Sequence, residues 1–438
     1  MLGKIQSIFR IEDLRRKIFF SLGLLVVYRI GCHLPTPGVD ASILAQAFSS
    51  ESILGLFDLF AGGAFSKASI FALGIMPYIS ASIMFQLLGA VTPTIKKLQQ
   101  EGEEGRKKIS QYTRYLTVVI AFLQAYATAT FLQSMSFGGV NVVQGMGGGA
   151  FIFITCVTFT AGTIFVMWLG EQITAHGIGN GISLIIFTGI VARFPHGAWD
   201  MMQQIWNETG NMNIVTGAII VAMMLLVIAS VILVTRAQRR IPIQYPRKVV
   251  GRKVFGGQTT HLPLSVNSAG VIPIIFAQSI MFLPATLQQF FPGQLWLKDF
   301  IDNWLFPGGF LYNMIYALII IFFAFFYTAI VFNPQDVSDN IRKNGGFIPG
   351  IRPGKNTAEY IERVLSRITL PGAVFFAAIA ILPWVLIGQF NVDFFFGGTG
   401  LLIVVGVALD TLQQIESHLI MRHYEGFLKK GRIRGRSY

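Results

Sequence analysis

Residues 58–90 read DLFAGGAFSKASIFALGIMPYISASIMFQLLGA. The stretch opens as a short apolar piece broken by Gly62, Gly63, Ser66 and Lys67, too interrupted to cross a bilayer. From Ile70 to Leu88 it becomes a run that can cross, since a spanning helix needs about 20 mostly apolar residues. A segment that enters a membrane and stops must be buried in protein or face water, because lipid cannot satisfy its free backbone groups. The two pieces together predict a hollow in the protein with a short re-entrant piece of chain inside it. Within the longer run Gly74 and Pro77 loosen the helix, Ser80 and Ser82 add hydroxyls, and Gln86 adds a polar group deeper in. Ile75 and Ile79 are four apart and share one helical face.

The surrounding chain fits that expectation. It has 438 residues, is 53% hydrophobic and only 13% charged, with a mean hydropathy of +0.60. Those values describe a polytopic helical membrane protein. Spanning runs fall at 18–34, 70–90, 115–134, 150–169, 180–194, 214–234, 268–287, 310–332, 369–387 and 399–419. A net charge of +13 suggests nucleic acid until its placement is considered: 30 of the 34 lysines and arginines lie on one side of these spans. Lys67, Arg193 and Lys298 lie on the other side, and Arg29 lies within the first span. By the positive-inside rule, this gives ten spans with both termini cytoplasmic. Ten spans divide as five and five, and an odd number per half makes related halves inverted.

Residues 1–17 read as an amphipathic helix on the cytoplasmic surface. A basic start before an apolar run resembles a cleaved signal, but no small-x-small site follows, so cleavage is not expected. Arg29, near the outer end of its span, has two readings, snorkelling outward or pairing with a carboxylate in the protein interior, and snorkelling is the favoured one. GIGNG at 177–181 predicts a tight cytoplasmic corner in which glycine accepts positive φ. The basic loop 235–267 alternates from Arg247 to Phe255 around Gly251, which predicts a β-hairpin. Span seven carries Asn267, Gly270, Pro273, Gln278 and Pro284 and is, like span two, a helix with polar breaks. The loop 333–367 is turn-rich, Asp410 lies in the cytoplasmic half of span ten, and a basic tail closes the chain over 420–438. Cys32 and Cys156 sit in or beside apolar runs and read as small core residues without a disulfide or metal role.

No catalytic constellation appears, and the six scattered histidines suggest no metal site. GIRPGKN at 350–356 falls short of a phosphate loop in both spacing and final residue. Two readings remain. A secondary transporter suits the half-segment and broken helices, but ion coupling calls for ionisable groups at mid-membrane. A conduit for polypeptide needs a movable plug and an aliphatic constriction that makes ion dehydration costly. A purely structural scaffold leaves the half-segment unexplained.

Long motifs then narrow the choice. SKASIFALGIMPYISASI at 66–83, EGRKKISQYTRY at 104–115, WLGEQITAHGIGNGIS at 168–183, QRRIPIQY at 238–245, TTHLPLSVNSAGVIP at 259–273, FNPQDVSDNIRKNGGFIPGIRPG at 332–354 and FGGTGLLIVVGVALD at 396–410 resemble the bacterial SecY family of translocase channels. The resemblance implies an all-α bundle of ten transmembrane helices, in inverted halves at 18–194 and 195–419, around a central pore. It implies a pore ring of Ile75, Ile79, Ile182, Ile186, Ile275 and Ile403. It implies a plug over about 55–67 that includes Asp58, Phe60, Gly62, Gly63, Phe65 and Lys67. Spans two and seven would form a lateral gate bearing Ser80, Ser82, Gln86, Asn267, Pro273 and Gln278. The activity implied is passage of unfolded secretory chains, with signal sequences recognised on entry, and release of apolar segments into the plasma-membrane bilayer. The chain would have no enzymatic activity and no cofactor of its own. Drive would come from a translating ribosome or the SecA ATPase, and the small subunits SecE and SecG would accompany it. Arg240, Arg252, Lys253 and Arg352 are the expected docking residues, because the loop at 235–267 exceeds what topology requires and an IRPG turn is a rigid mount for a charge.

Overall fold

The structure, a computed structural model, describes residues 11–40, 44, 58, 61–137, 140–143, 145, 147–206, 214–246, 248–250, 253–255, 259–267, 269–290, 294–305, 308–390 and 398–430. Helices α1 (Glu12–Gly31), α2 (Met76–Val91), α3 (Pro93–Gln100) and α4 (Glu103–Ser134) lead to the strands β1 (Ser136–Phe137) and β2 (Val140–Asn141). Helices α5 (Gly148–His176), α6 (Gly181–Val191), α7 (Phe194–Trp206) and α8 (Ile214–Arg236) follow. Next come β3 (Gln238–Gln244), β4 (Lys248–Val250), β5 (Lys253–Phe255) and β6 (Thr259–Ser265). The chain continues through α9 (Ile272–Met281), α10 (Leu283–Phe290), α11 (Leu295–Trp304), α12 (Phe310–Val331), α13 (Pro334–Lys343), α14 (Lys355–Phe390) and α15 (Gly398–Lys430).

Among the described residues, seven helices are long and apolar enough to cross a membrane. An eighth is counted if the bent pair α2 and α3 is one span. Two expected spans fall outside this set for physical reasons. Helix α1 begins EDLRRK, so charges enter its apolar window. The seventh run breaks at Phe282 into α9 and α10, ten and eight residues long. The second span also differs. Its helix starts at Met76 and not at Ile70, because Gly74 sits at φ +54° and Pro77 belongs in a first turn, where its missing N–H costs nothing. The cytoplasmic loop expected at 91–114 is largely helical. Pro93 holds Thr92 extended, which turns α3 106° from α2, and α4 opens with Glu103 and Glu104, whose charges suit the positive end of its dipole.

The chain forms two compact units. The first comprises Met1–Trp199, Phe282–Asn303 and Val407–Tyr438. In it, α4 packs along α2 and α5, while α5 also meets α1 and α6. The corner between α5 and α6 is hydrogen-bonded from several directions. Asn180 caps α6 by accepting from the Ile182 and Ser183 amides. Gly179 stands at φ +87°, as expected for this turn, and donates its amide to Gln414 Oε1 at 3.0 Å. Ser21 Oγ accepts from the Ile178 amide. In the second unit, Asp200–Met281 and Trp304–Gly406, α12 packs against α9 and α14. Strands β3 and β6 pair antiparallel, Ile241 opposite Leu262. Strands β4 and β5 pair beyond them, Val250 opposite Lys253. The expected hairpin is therefore present, although Arg247 and Gly251 themselves lie outside the described residues.

Candidate functional site

Residues 61–75 form turns, not helix, and most of them are buried in the first unit. Asp58, 3% exposed, organises them. Its Oδ1 accepts from the amides of Phe65 at 2.9 Å and Ser66 at 2.8 Å. Its carbonyl accepts from the Gly63 amide at 2.9 Å. Its Oδ2 pairs with the guanidinium of Arg193, just past α6. Gly62 (φ +69°) and Gly63 (φ +82°) supply the left-handed backbone this turn needs. A Cβ on Gly62 would lie 2.8 Å from the Gly189 Cα on α6. The loop after α1 closes the other edge: the Thr36 amide donates to the Ala68 carbonyl and the Ile70 amide to the Leu34 carbonyl. Tyr28 stacks on Phe71, which stacks on Phe165.

Arg29 does not snorkel. Its Nη1 donates to the Gly62 carbonyl at 2.6 Å, because a backbone acceptor lies on the inward side of α1. Arg29, Tyr28, Gly189 and Arg193 thus join residues that sequence reading placed here. The advance signal was that Arg29 and Arg193 are two of the four basic residues that lie apart from the basic loops. Lys67 is exposed, and Phe60 lies outside the described residues, as does Gly55.

The six expected ring residues divide between the units. Ile75, the N-cap of α2, together with Ile79, Ile182 and Ile186, is in the first; Ile275 and Ile403 are in the second. Five are buried and Ile182 is half-buried. Of the expected gate residues, Ser80, Ser82 and Gln86 lie on α2 and are half-buried, with Gln86 Nε2 donating to Ser82 Oγ at 3.2 Å. Pro273 and Gln278 are buried on α9. Asn267 is not on that span. It lies in the turn after β6, because Gly270 at φ +64° and Pro273 delay the helix until Ile272.

The expected docking residues in the second unit stand on a packed base. Ile241, Ile243, Leu264, Ile341, Ile348 and Ile361 make one core beneath β3, β6, α13 and α14. Phe347 and Gln244 exchange both backbone hydrogen bonds, at 2.9 and 3.0 Å, and this joins the 344–354 loop to β3. Ser338 Oγ donates to the Gly354 carbonyl at 2.7 Å, and Thr357 Oγ1 donates to the Arg352 carbonyl at 3.0 Å. Arg240 and Arg352 are exposed. Lys253 is the first residue of β5, and Arg252 lies outside the described residues.

The apolar spans, the bent helix pair and the buried irregular segment define a multi-pass helical membrane protein. A solved structure described as a protein conducting channel superposes with a TM-score of 0.65 at 18% identity, covering 92% of this chain and 91% of that one. Sec61 in the canine ribosome-channel complex from the endoplasmic reticulum superposes at 0.61 and 17%, over 92% and 91%. These likenesses establish the shared fold. The family model SecY matches residues 69–412. Protein translocase subunit SecY of Thermotoga maritima is 45% identical over 98% of this chain and 99% of its own length. The proteins of that name from Vibrio cholerae and Escherichia coli are 48% and 47% identical, each over 97% of this chain and 96% of their own. The chain belongs to the SecY family.

Proposed function

We propose that this protein is the protein-conducting channel of a bacterial plasma membrane. It passes unfolded secretory chains outward and releases membrane-protein segments sideways into lipid. The observation that carries the reading is the buried, non-helical segment at 61–75. Irregular backbone at membrane depth is tolerated only inside protein or beside water, and here it is held by hydrogen bonds that can be broken and remade. The relatives' name, protein translocase subunit, supports the same reading.

In this reading the six isoleucines form the constriction, and the segment through Lys67 is the plug. Spans two and seven part to form the lateral gate. The halves at 18–194 and 195–419 are inverted relatives, and both termini face the cytoplasm, as the basic loops require. The channel performs no catalysis and depends on a docked driver. SecA or a ribosome engages Arg240, Arg252, Lys253 and Arg352, and SecE and SecG complete the membrane complex. The ribosome contact is supported by the structural neighbours solved on ribosomes. The test is reconstitution of the chain with SecE and SecG in vesicles, with SecA, ATP and a secretory precursor outside. Protease protection of the precursor is expected, and its failure with competent partners overturns the reading.

A further inference from the structure

We propose that Arg29 and Arg193 are positioning residues of the closed channel, acting as a two-point latch whose release sets how readily Asp58 and the 61–75 segment leave their seat. The proposal rests on the channel reading above and deepens it by assigning the side chains that regulate opening. The two arms hold by different chemistry. Arg29, on α1, grips a main-chain carbonyl at Gly62, which any residue there would supply. Arg193, beyond α6, grips the Asp58 carboxylate, which only an acidic residue supplies. The segment is therefore tied both to α1 and to the junction between α6 and α7.

Asp58 divides its labour between its oxygens. Oδ1 shapes the turn through the Phe65 and Ser66 amides, and Oδ2 serves the latch. Its side chain is 4% exposed and that of Arg193 is 22%. A buried ion pair is costly to break when one partner stays behind uncompensated. Here, withdrawal of the segment strips Arg193 and Arg29 of their acceptors in one movement. The close approach of Gly62 to Gly189 fits the segment to a single position, so a small displacement lengthens both contacts together.

The division of labour makes the latch separable from the turn. In Asp58→Asn, the amide oxygen still accepts from Phe65 and Ser66, but an N–H group faces the guanidinium. Arg193→Gln removes the other partner, and the double variant leaves neither charge buried without its counter-charge. The complex of the full chain with its small subunits, in planar bilayers without precursor, is the assay. Each single variant is expected to raise resting open probability about tenfold or more, and the double variant to fall back toward wild type. Arg29→Gln is expected to add to either single change. Wild-type resting conductance in both single variants, or a double variant as leaky as the sum of the singles, overturns the latch. If wild-type vesicles translocate precursor while the single variants stay silent, the latch alone falls. If wild-type vesicles do not translocate, the channel reading falls with it.

Discussion

Gly62 is the residue at which shape is most tightly set. Alanine at its φ of +69° costs about 1–2 kcal/mol in backbone strain, and its Cβ would press on the Gly189 backbone. Gly62→Ala is expected to raise resting conductance in planar bilayers. Gly63→Ala carries the same strain but meets only the side chain of Arg193, at 3.7 Å, so a smaller rise is expected. These residues show where reading by residue succeeds and fails. The two glycines were legible as breaks in an apolar stretch, but their positive φ was not. The pairing of Asp58 with Arg193 spans 135 positions, and a count of outer charges carries no information about partners. Arg29 was misjudged because its place in the apolar run gives its depth but not which side of the helix faces protein.

The elements were more legible than their joints. Most spans match their apolar runs because an 18-residue apolar window has few alternatives to a helix in lipid. The joints obey local chemistry: Gly74 and Pro77 delay α2, Pro93 bends it away, and Gly270 and Pro273 hold Asn267 off α9. The packed base under the 235–267 and 344–354 loops was not legible, since its residues come from β3, β6, α13, the loop after it and α14. Ile241→Ala is expected to cost roughly 2–5 kcal/mol of local stability. Loss of protease resistance in the 235–267 loop is its readout. Arg352→Glu leaves that core intact and is expected to cut motor-driven export at least about tenfold, by adding a like-sign clash to a lost contact. Unchanged export would remove Arg352 from docking. Ribosome binding through these arginines is expected to weaken steeply with salt, because phosphate contacts release counterions.

At the scale of the whole molecule, the reading makes two demands that no single unit can meet. Replacing Ile75, Ile79, Ile186 and Ile275 together with serine is expected to make the resting channel conduct ions, since a wetted waist no longer penalises their entry. A disulfide bridging α2 and α9, in a chain with Cys32 and Cys156 replaced by serine, is expected to block insertion of signal anchors, and reductant is expected to restore it. The family was legible in the long motifs. The ten spans read from the sequence exceed the seven long apolar helices, or eight with the bent pair, among the described residues, because a charged start and a broken middle keep two expected spans out of that set. The fastened Arg352 turn has one further consequence for how the machine runs. With the carbonyls at 352 and 354 already held by Thr357 and Ser338, a driver docking as proposed would not have to order the backbone of that turn when it lands. On that reading engagement and departure can both be quick, because neither waits for the turn to freeze or melt.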